Sequence, residues 1–241
     1  MSDVHKSTLR GWLTCRFELL YDTAFKDDFL EYGKKTKATL KCLNTADIKM
    51  CAKELEERCK SSRLKIIKTI RTPLQLALSV MHDIPGMRII HLVRDPRSTM
   101  KSQTHRGVCP IRSGGIPGCA KRHCANVWDN TQTQNKSNYR DRILTIKYED
   151  IAMNPIETAQ KMYDFVNLEF NESVKKYVYE VTLGGDRTEC KVCQLKWQIG
   201  GKHDSSMDHI DAWKKTQAPG WIAGIQNACT DVLDFYNYTM V

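Results

Sequence analysis

The stretch MRIIHLVRDPRSTMKS, residues 87–102, decides the fold of this chain. Its first seven residues are rich in Ile, Leu and Val, which favour a β-strand. Asp95 is a good N-cap, and Pro96 is a good first helical residue because the N–H that proline lacks has no partner there. The stretch therefore predicts a strand over residues 87–93 that leads directly into a helix ending near residue 106.

Two other apolar stretches, Leu64 to Ile70 and Arg142 to Tyr148, also have the composition of strands. Helical patterns are found at residues 12–32, 46–60, 74–82, 120–138, 155–166 and 221–236. Residues 107–119 are predicted to form a loop, and residues 184–219 an irregular segment. Alternation of strands and helices favours an α/β fold, in which helices flank a parallel sheet.

The length of 241 residues fits a single domain with three parts. Residues 1–61 are predicted to be a helical N-terminal part, and residues 62–183 the sheet core. Residues 184–241 are predicted to combine an irregular segment with a C-terminal helix.

The charge composition favours an anionic partner. The chain has 37 basic and 28 acidic side chains, a formal net charge of +9, and such a surplus attracts phosphorylated cofactors, acidic glycans, nucleic acids or membrane surfaces. A basic surface without any specific partner has the same composition. No known nucleic-acid-binding motif and no run of five or more like charges is present, so nucleic acid is not expected as a partner.

Ten cysteines and three N-glycosylation sequons, at Asn135, Asn171 and Asn237, favour a disulfide-forming, secretory environment. The first residues form no signal peptide, and no apolar run approaches the ~20 residues that span a bilayer. Cysteines and sequons without a secretory leader lead us to expect a missing N-terminal segment.

A phosphate site is predicted where the strand ends and the helix begins. Arg94 lies at the carboxyl end of the strand, where ligands of open α/β sheets bind. Its guanidinium can hold a phosphate, and the free N–H groups of a helix N-terminus favour negative charge. Ser98 and Ser102 are four residues apart and share a helix face. The alternative is an arginine paired with Asp95 or Glu149, with both serines facing water.

The stretch HLVRDPRSTMKS, residues 91–102, resembles the 3′-phosphate-binding strand and helix of sulfotransferases, in particular the Golgi carbohydrate 6-O-sulfotransferases that act on Gal, GalNAc and GlcNAc. The segments LKIIKTIR (64–71) and ILTIKYEDIAMNP (143–155) resemble neighbouring parts of that family. Residues 202–205, 212–214 and 225–229 resemble its C-terminal part. The resemblance covers about residues 62–236.

The resemblance implies a P-loop-like sulfotransferase fold that uses 3′-phosphoadenylyl sulfate (PAPS) as sulfuryl donor, without a metal, and a glycan or proteoglycan hydroxyl as acceptor. It implies a Golgi location, with a membrane anchor only outside this sequence. Arg94 and Ser102 match the family's 3′-phosphate ligands, and Lys202 is either a second cation for that phosphate or a solvated loop lysine. The implied cofactor-binding residues are Arg94, Asp95, Pro96, Arg97, Ser98, Ser102 and Lys202.

The family's 5′-phosphosulfate loop, a Gly-Ser-Ser turn between a strand and a helix, has no counterpart in this sequence. Ser113-Gly114-Gly115 and Gly200-Gly201-Lys202 come too late in the chain and follow no strand. We therefore expect an incomplete fold with an open groove beside residues 87–93. The second hypothesis is that the chain is non-catalytic and binds the nucleotide or a glycan without transfer.

No catalytic base is assigned from the sequence. His5, Glu18 and Asp22 are conceivable, but each fits an ordinary surface residue better. The pair Cys190 and Cys193 lacks the second CxxC that a zinc ribbon needs, so disulfides are favoured over zinc for the ten cysteines. Trp197, Trp213 and Trp221 suit core packing better than sugar stacking, with Trp213 the candidate for an exception.

Overall fold

The protein is described by a computed structural model that covers residues 2–21, 30, 36–70, 72–109, 115–182 and 205–241. The chain divides into two compact units, Met1–Met87 and Arg88–Val241. Five residues that the sequence analysis considered lie outside the described residues: Asp22, Cys190, Cys193, Trp197 and Lys202.

The first unit is helical. A 3₁₀ turn, Phe17–Leu20, follows the first helix. The helices are α1 (Ser2–Thr14), α2 (Lys37–Leu43), α3 (Ile48–Lys60) and α4 (Leu74–Met81). Helix α3 begins as the sequence predicts, because the Asp47 side chain accepts a hydrogen bond from the Lys49 N–H.

The predicted helix over residues 12–32 is interrupted, since α1 ends at Thr14 and the 3₁₀ turn follows it; residues 22–29 and 31–32 lie outside the described residues. Cys15 has a φ of 56°, a conformation that an α-helix cannot contain. A Cβ on Gly11 would lie 2.8 Å from Leu20 Cδ2, so the turn also needs glycine for this close approach. Phe17 and Leu20 pack with Ala52 and Leu55 in the core of this unit.

Two disulfides join the helices of the first unit, Cys15–Cys59 and Cys42–Cys51. The first bridges 44 residues and the second 9 residues of chain. The sequence favours disulfides without giving their pairing, and the structure supplies it.

The predicted strand from Leu64 to Ile70 is also wrong. These residues have no regular secondary structure, and Ile66 and Ile70 are 80% and 76% exposed. β-Propensity describes how a side chain fits a pleated, half-buried surface. Without a neighbouring strand among the described residues, Ile66 and Ile70 have no such surface to occupy.

The second unit contains a parallel two-stranded sheet, β1 (Ile89–Val93) and β2 (Ile143–Lys147). Its larger helices are α5 (Pro96–His105), α6 (Gly115–Lys136), α8 (Pro155–Phe165), α9 (Glu172–Thr182) and α11 (Pro219–Ala228). Shorter helices are α7 (Tyr148–Met153), α10 (Ala212–Thr216) and α12 (Thr230–Phe235), with 3₁₀ turns at Arg140–Arg142 and Ser206–His209.

The parallel pairing confirms the predicted fold class. Ile89 pairs with Ile143, and the register continues to Val93 opposite Lys147. Because the strands run in the same direction, their carboxyl ends meet at one edge. On β1, Ile90 and Leu92 are 37% and 55% exposed, so the described residues cover this face of the strand only in part.

The core of the second unit lies between α5, α6, α11 and α12. Met100, Ala120, Ile225 and Leu233 are each 0% exposed. A third disulfide, Cys124–Cys229, ties α6 to the residue that follows α11. Of the other described cysteines, Cys119 is buried and Cys109 is half-buried.

Three boundaries differ from the sequence-based expectations. Helix α6 begins at Gly115, inside the predicted loop over 107–119. The predicted C-terminal helix over 221–236 is two helices, α11 and α12, since Cys229 departs from helical geometry with a φ of −127°. The described part of the segment 184–219, residues 205–219, contains the 3₁₀ turn Ser206–His209 and helix α10, which contradicts an irregular segment there.

Candidate anion site at the carboxyl edge of the sheet

The site is built at the edge where β1 and β2 end together. Val93 and Lys147 are the last paired residues of the two strands, so Arg94 and Tyr148 follow as neighbours. The Arg94 guanidinium carbon lies 4.0 Å from the centroid of the Tyr148 ring. This distance fits a cation–π stack, which holds the guanidinium parallel to an aromatic face.

Arg94 and Ser98 converge on one oxygen atom. Nη2 of Arg94 and the hydroxyl of Ser98 each donate a hydrogen bond to the backbone carbonyl oxygen of His209, both at 3.2 Å. Two of the three donors of the predicted phosphate site, Arg94 and Ser98, therefore reach a common acceptor position. A carbonyl oxygen carries only a partial negative charge, whereas a phosphate oxygen would form a stronger, charge-assisted bond.

Arg94 forms no ion pair within the described part of the chain, so the alternative of a salt bridge to Asp95 or Glu149 is wrong. Its Nε is buried and has no hydrogen-bond partner among the described residues. The bond to His209 is made by Nη2, which leaves Nη1 free of described partners. Arg94 thus keeps hydrogen-bonding capacity for an anion.

Ser102 lies one turn beyond Ser98 on α5 and is exposed. On the same helix, Lys101 donates a hydrogen bond from Nζ to the carbonyl oxygen of Ala212, at 3.1 Å. Arg94, Ser98 and Lys101 therefore all contact the backbone of residues 209–212.

Asp95 and Arg97 form a buried ion pair beneath the helix N-terminus. Asp95 accepts a hydrogen bond from the Arg97 N–H at 2.8 Å, as an N-cap does, and another from Arg97 Nη2 at 2.7 Å. Arg97 Nη1 donates to Gln226 Oε1 and to the Thr239 carbonyl, both at 2.8 Å. The guanidinium also stacks 4.2 Å above the fully buried Trp213 ring.

The burial of these residues separates two roles that the sequence did not distinguish. Asp95, Pro96 and Arg97 are within the protein interior, and Arg97 is 2% exposed with its guanidinium engaged by the protein itself. They hold the start of α5 in place. Arg94 is half-buried and Ser102 is exposed.

Glu149 joins three parts of the site. Its Oε1 accepts a hydrogen bond from the Asp95 N–H at 3.1 Å, and its Oε2 accepts one from the Tyr238 hydroxyl at 2.9 Å. Burial, together with the negative charge of Glu149, raises the pKa of Tyr238 well above its usual range. Tyr238 therefore stays protonated and serves as a hydrogen-bond donor, which links the C-terminal segment to both strand ends.

Sequence reasoning missed Tyr148, His209 and Gln226. A signal existed for Tyr148, because it follows a strand directly, as Arg94 does. No local signal marks His209 or Gln226, which are 115 residues from Arg94 and 129 residues from Arg97 respectively.

The remaining candidates are placed as follows. His5 and Glu18 are exposed, and a hydrogen bond from Arg16 lowers the pKa of Glu18. Cys124 is paired with Cys229 and is therefore not a zinc ligand. Within the described ranges no cluster of three or more His, Cys, Asp or Glu side chains could hold a metal ion. Trp213 is a fully buried core residue that packs on Arg97, so it is not the exception to core packing that the sequence suggested.

A profile of the sulfotransferase domain family matches residues 12–189. The chain therefore belongs to the sulfotransferase domain family. Members of this family generally use PAPS as the sulfuryl donor, which agrees with an arginine at the strand–helix turn.

Two curated relatives show the range of similarity. Carbohydrate sulfotransferase 3 of Tetronarce californica is 28% identical over 171 residues, which cover 65% of this chain and 37% of that protein. Carbohydrate sulfotransferase 6 of Homo sapiens is 22% identical over 218 residues, which cover 80% of this chain and 53% of that protein. The chain spans about half, or less, of the length of these relatives.

Solved structures support the fold. A sulfotransferase domain from the curacin biosynthetic pathway matches 96% of this chain and 80% of its own, with a TM-score of 0.59 and 17% identity. The sulfotransferase domain of the Synechococcus PCC 7002 olefin synthase matches 100% of this chain and 91% of its own, with a TM-score of 0.56 and 18% identity. These likenesses confirm the sulfotransferase fold.

Proposed function

We propose that this protein transfers a sulfuryl group from PAPS to a hydroxyl of a carbohydrate acceptor, a glycan or proteoglycan. The observation that carries the proposal is the convergence of Arg94 and Ser98 on one oxygen position at the carboxyl edge of the sheet. The carbohydrate acceptor is supported by the relatives, which are carbohydrate sulfotransferases at 22–28% identity.

In this proposal, Arg94 and Ser102 bind the 3′-phosphate of the donor, assisted by Ser98 and the N-terminus of α5. Arg94 supplies the positive charge, and its Nη1, which has no hydrogen-bond partner among the described residues, gives it a donor for a phosphate oxygen. Helix N-terminal N–H groups add partial positive charge. Asp95, Pro96 and Arg97 act beneath the ligand as the scaffold that fixes the start of the helix. Lys202 stays a predicted second cation.

Sulfuryl transfer is analogous to phosphoryl transfer, where positioning and electrostatic stabilisation supply the catalysis. The acceptor oxygen forms a bond to sulfur while the bond between sulfur and the donor's phosphate oxygen breaks. The proton of the acceptor hydroxyl goes to a base that we leave unassigned. The residues around Arg94 bind and orient the nucleotide, and no step requires them to take up a proton.

A Golgi lumenal location is part of the proposal. Three disulfides support it, because disulfides persist in oxidising compartments. In the described residues, no helix is long and apolar enough to cross a bilayer.

A second candidate function is nucleotide binding without transfer. It is favoured by β1, whose Ile90 and Leu92 are exposed and which pairs only with β2 among the described residues. A chain without a 5′-phosphosulfate loop would bind the nucleotide without transferring the sulfuryl group. The absence of that loop stays a prediction.

The test measures binding and transfer separately. Titration calorimetry with 3′-phosphoadenosine 5′-phosphate should give saturable binding, and Arg94→Ala should weaken it about tenfold or more, because a charge-assisted bond is lost. Lys214→Ala is a suitable control, since this exposed lysine pairs with Asp211 at 3.0 Å and lies on the short helix α10.

Transfer is measured with labelled PAPS and a panel of glycans. Label on a glycan supports the sulfotransferase proposal, whereas binding without any transfer supports the second candidate. Equal affinity of wild type and Arg94→Ala for the nucleotide would refute both, because each uses this site.

A further inference from the structure

The second unit contains three N-glycosylation sequons, which begin at Asn135, Asn171 and Asn237. A sequon carries its glycan on the side-chain nitrogen of the asparagine, and the bulky, hydrated sugar needs a surface position. All three asparagines are exposed. Exposure of the asparagine therefore does not distinguish the three sequons, whereas the contacts of the residues beside it do.

The sequon at Asn171 is exposed along its whole length, since Asn171, Glu172 and Ser173 lie at the start of α9. Oδ1 of Asn171 accepts a hydrogen bond from the Val174 N–H at 3.1 Å, as an N-cap side chain does. Only the oxygen of an amide can accept such a bond. Nδ2, the atom that carries a glycan, therefore stays available, and its modification leaves the cap in place.

The described hydrogen bonds of this sequon remain within the first turn of α9. The Asn171 carbonyl accepts from the N–H groups of Val174 and Lys175, and Lys175 Nζ donates to Glu172 Oε1 at 2.6 Å. None of these bonds ties the sequon to another element. The end of a helix opens at a small cost in free energy, so the three residues can enter the active site of a glycosyltransferase.

The sequon at Asn237 is held to the interior of the second unit. Tyr238 is 9% exposed, and its hydroxyl donates a hydrogen bond to Glu149 Oε2 at 2.9 Å. The carbonyl of Thr239 accepts one from Arg97 Nη1 at 2.8 Å. Opening this sequon would break both bonds and leave buried polar groups without partners, which costs far more than opening a helix end.

The sequon at Asn135 belongs to the last turn of α6. Ser137 is half-buried, and its hydroxyl accepts a hydrogen bond from the Tyr139 N–H at 3.0 Å. In the same turn, Gln134 Oε1 accepts a hydrogen bond from the Thr145 hydroxyl of β2 at 2.6 Å. Access to this sequon therefore requires the end of α6 to unwind and separate from the sheet.

We propose that Asn171 is the principal N-glycan acceptor of this protein, and that Asn135 and Asn237 are occupied less. In the transfer, Nδ2 forms a bond to the anomeric carbon of a lipid-diphosphate-linked oligosaccharide. The bond between that carbon and the diphosphate oxygen breaks, and one Nδ2 hydrogen leaves as a proton. The inference rests on the proposed lumenal location and is independent of nucleotide binding at Arg94.

The occupancy of each sequon in the full chain tests the proposal. The chain is secreted from cultured animal cells behind a cleavable leader, and its glycans are released by peptide N-glycosidase in heavy-oxygen water. This treatment turns each occupied asparagine into a heavy aspartate. Mass spectrometry should find more label at Asn171 than at Asn135 or Asn237. Equal labelling of the three, more label at another sequon, or none at Asn171 would overturn the proposal.

The sequon supplies its own matched variants. Ser173→Ala removes the acceptor motif and keeps the cap, whereas Asn171→Ala removes both, so each should lose the mass of one glycan. Glu172→Ala changes the middle residue, which a sequon does not specify apart from excluding proline, and should keep the glycan. Asn171→Ala should also melt about 2–4 °C below Ser173→Ala, because only it loses the N-cap bond. Equal melting temperatures would overturn the arrangement that leaves Nδ2 available.

Failure of this inference and failure of the proposed function are distinguishable. If Asn171 carries no glycan while Arg94→Ala weakens nucleotide binding, the glycan acceptor is refuted and the proposed function stands. If Arg94→Ala has no effect while Asn171 is occupied, the anion site is refuted and the glycan acceptor stands.

Discussion

Asp95 accepts hydrogen bonds from both the backbone and the side chain of Arg97, at 2.8 Å from N and 2.7 Å from Nη2. The side chains of the pair are 2% and 8% exposed for Arg97 and Asp95 respectively. One carboxylate thus caps α5 and neutralises a buried guanidinium. Since Arg97 also binds Gln226 and the Thr239 carbonyl, the C-terminal segment is held to the start of the site helix.

Replacing Arg97 by methionine should therefore destabilise the protein by roughly 3–5 kcal/mol, because it leaves Asp95 buried without its partner. Urea denaturation of the variant measures the change in the free energy of unfolding. The exposed pair Lys214–Asp211 is the comparison, and Lys214→Ala should cost no more than about 1 kcal/mol. Equal effects of the two substitutions would contradict the structural role of the Asp95–Arg97 pair.

The two serines of α5 should differ in their effect on nucleotide affinity. Ser102 is exposed, so Ser102→Ala should weaken binding of 3′-phosphoadenosine 5′-phosphate, by less than Arg94→Ala does. Ser98 is 3% exposed and already bonded to the His209 carbonyl. Ser98→Ala should therefore lower the melting temperature more than Ser102→Ala does. Titration calorimetry measures the nucleotide affinity of both variants, and thermal unfolding measures their melting temperatures. A larger drop in melting temperature for Ser102→Ala than for Ser98→Ala would contradict these roles of the two serines.

The disulfides should contribute to stability according to the length of chain that they close. Cys124–Cys229 encloses 105 residues and Cys42–Cys51 encloses 9. The chain-entropy relation gives about 4.7 kcal/mol for the long loop and roughly 2.5 kcal/mol for the short one. Both cysteines of one bridge can be replaced by serine. Urea denaturation should show a larger loss in the free energy of unfolding for the Cys124–Cys229 bridge than for the Cys42–Cys51 bridge. Mass spectrometry of the oxidised wild type should find both bridges; free thiols at Cys124 and Cys229 would contradict the structure.

Acid should destabilise the second unit through His91. Burial lowers the pKa of His91 below its usual value of 6.5. The unfolded chain therefore takes up a proton at a higher pH than the folded chain does. The contribution of neutral His91 to the free energy of unfolding is therefore fully present above about pH 6.5. It decreases as the pH falls from that value to the pKa of His91 in the folded protein.

His91→Gln removes this titration, so the melting temperature of the variant should fall less between pH 7.5 and pH 5.5 than that of the wild type. A variant at His91 with the same acid sensitivity as the wild type would show that other groups cause it.

The sequence by itself determined the strand, the cap and the helix over residues 87–106, because their signals lie within a few residues of one another. Asp95 and Pro96 encode a helix start through their own backbone chemistry. The same local pattern placed Arg94 and Ser98 at that helix start. It could not separate the half-buried Arg94 from the fully buried Arg97, since burial depends on residues far along the chain.

Only the tertiary structure decided what these residues contact. The acceptor shared by Arg94 and Ser98 is His209, the partners of Arg97 are Gln226 and Thr239, and each lies more than a hundred residues away. It also decided that residues 64–70 form no strand. A strand needs a partner for its backbone N–H and C=O groups, and composition alone cannot say whether a partner is present.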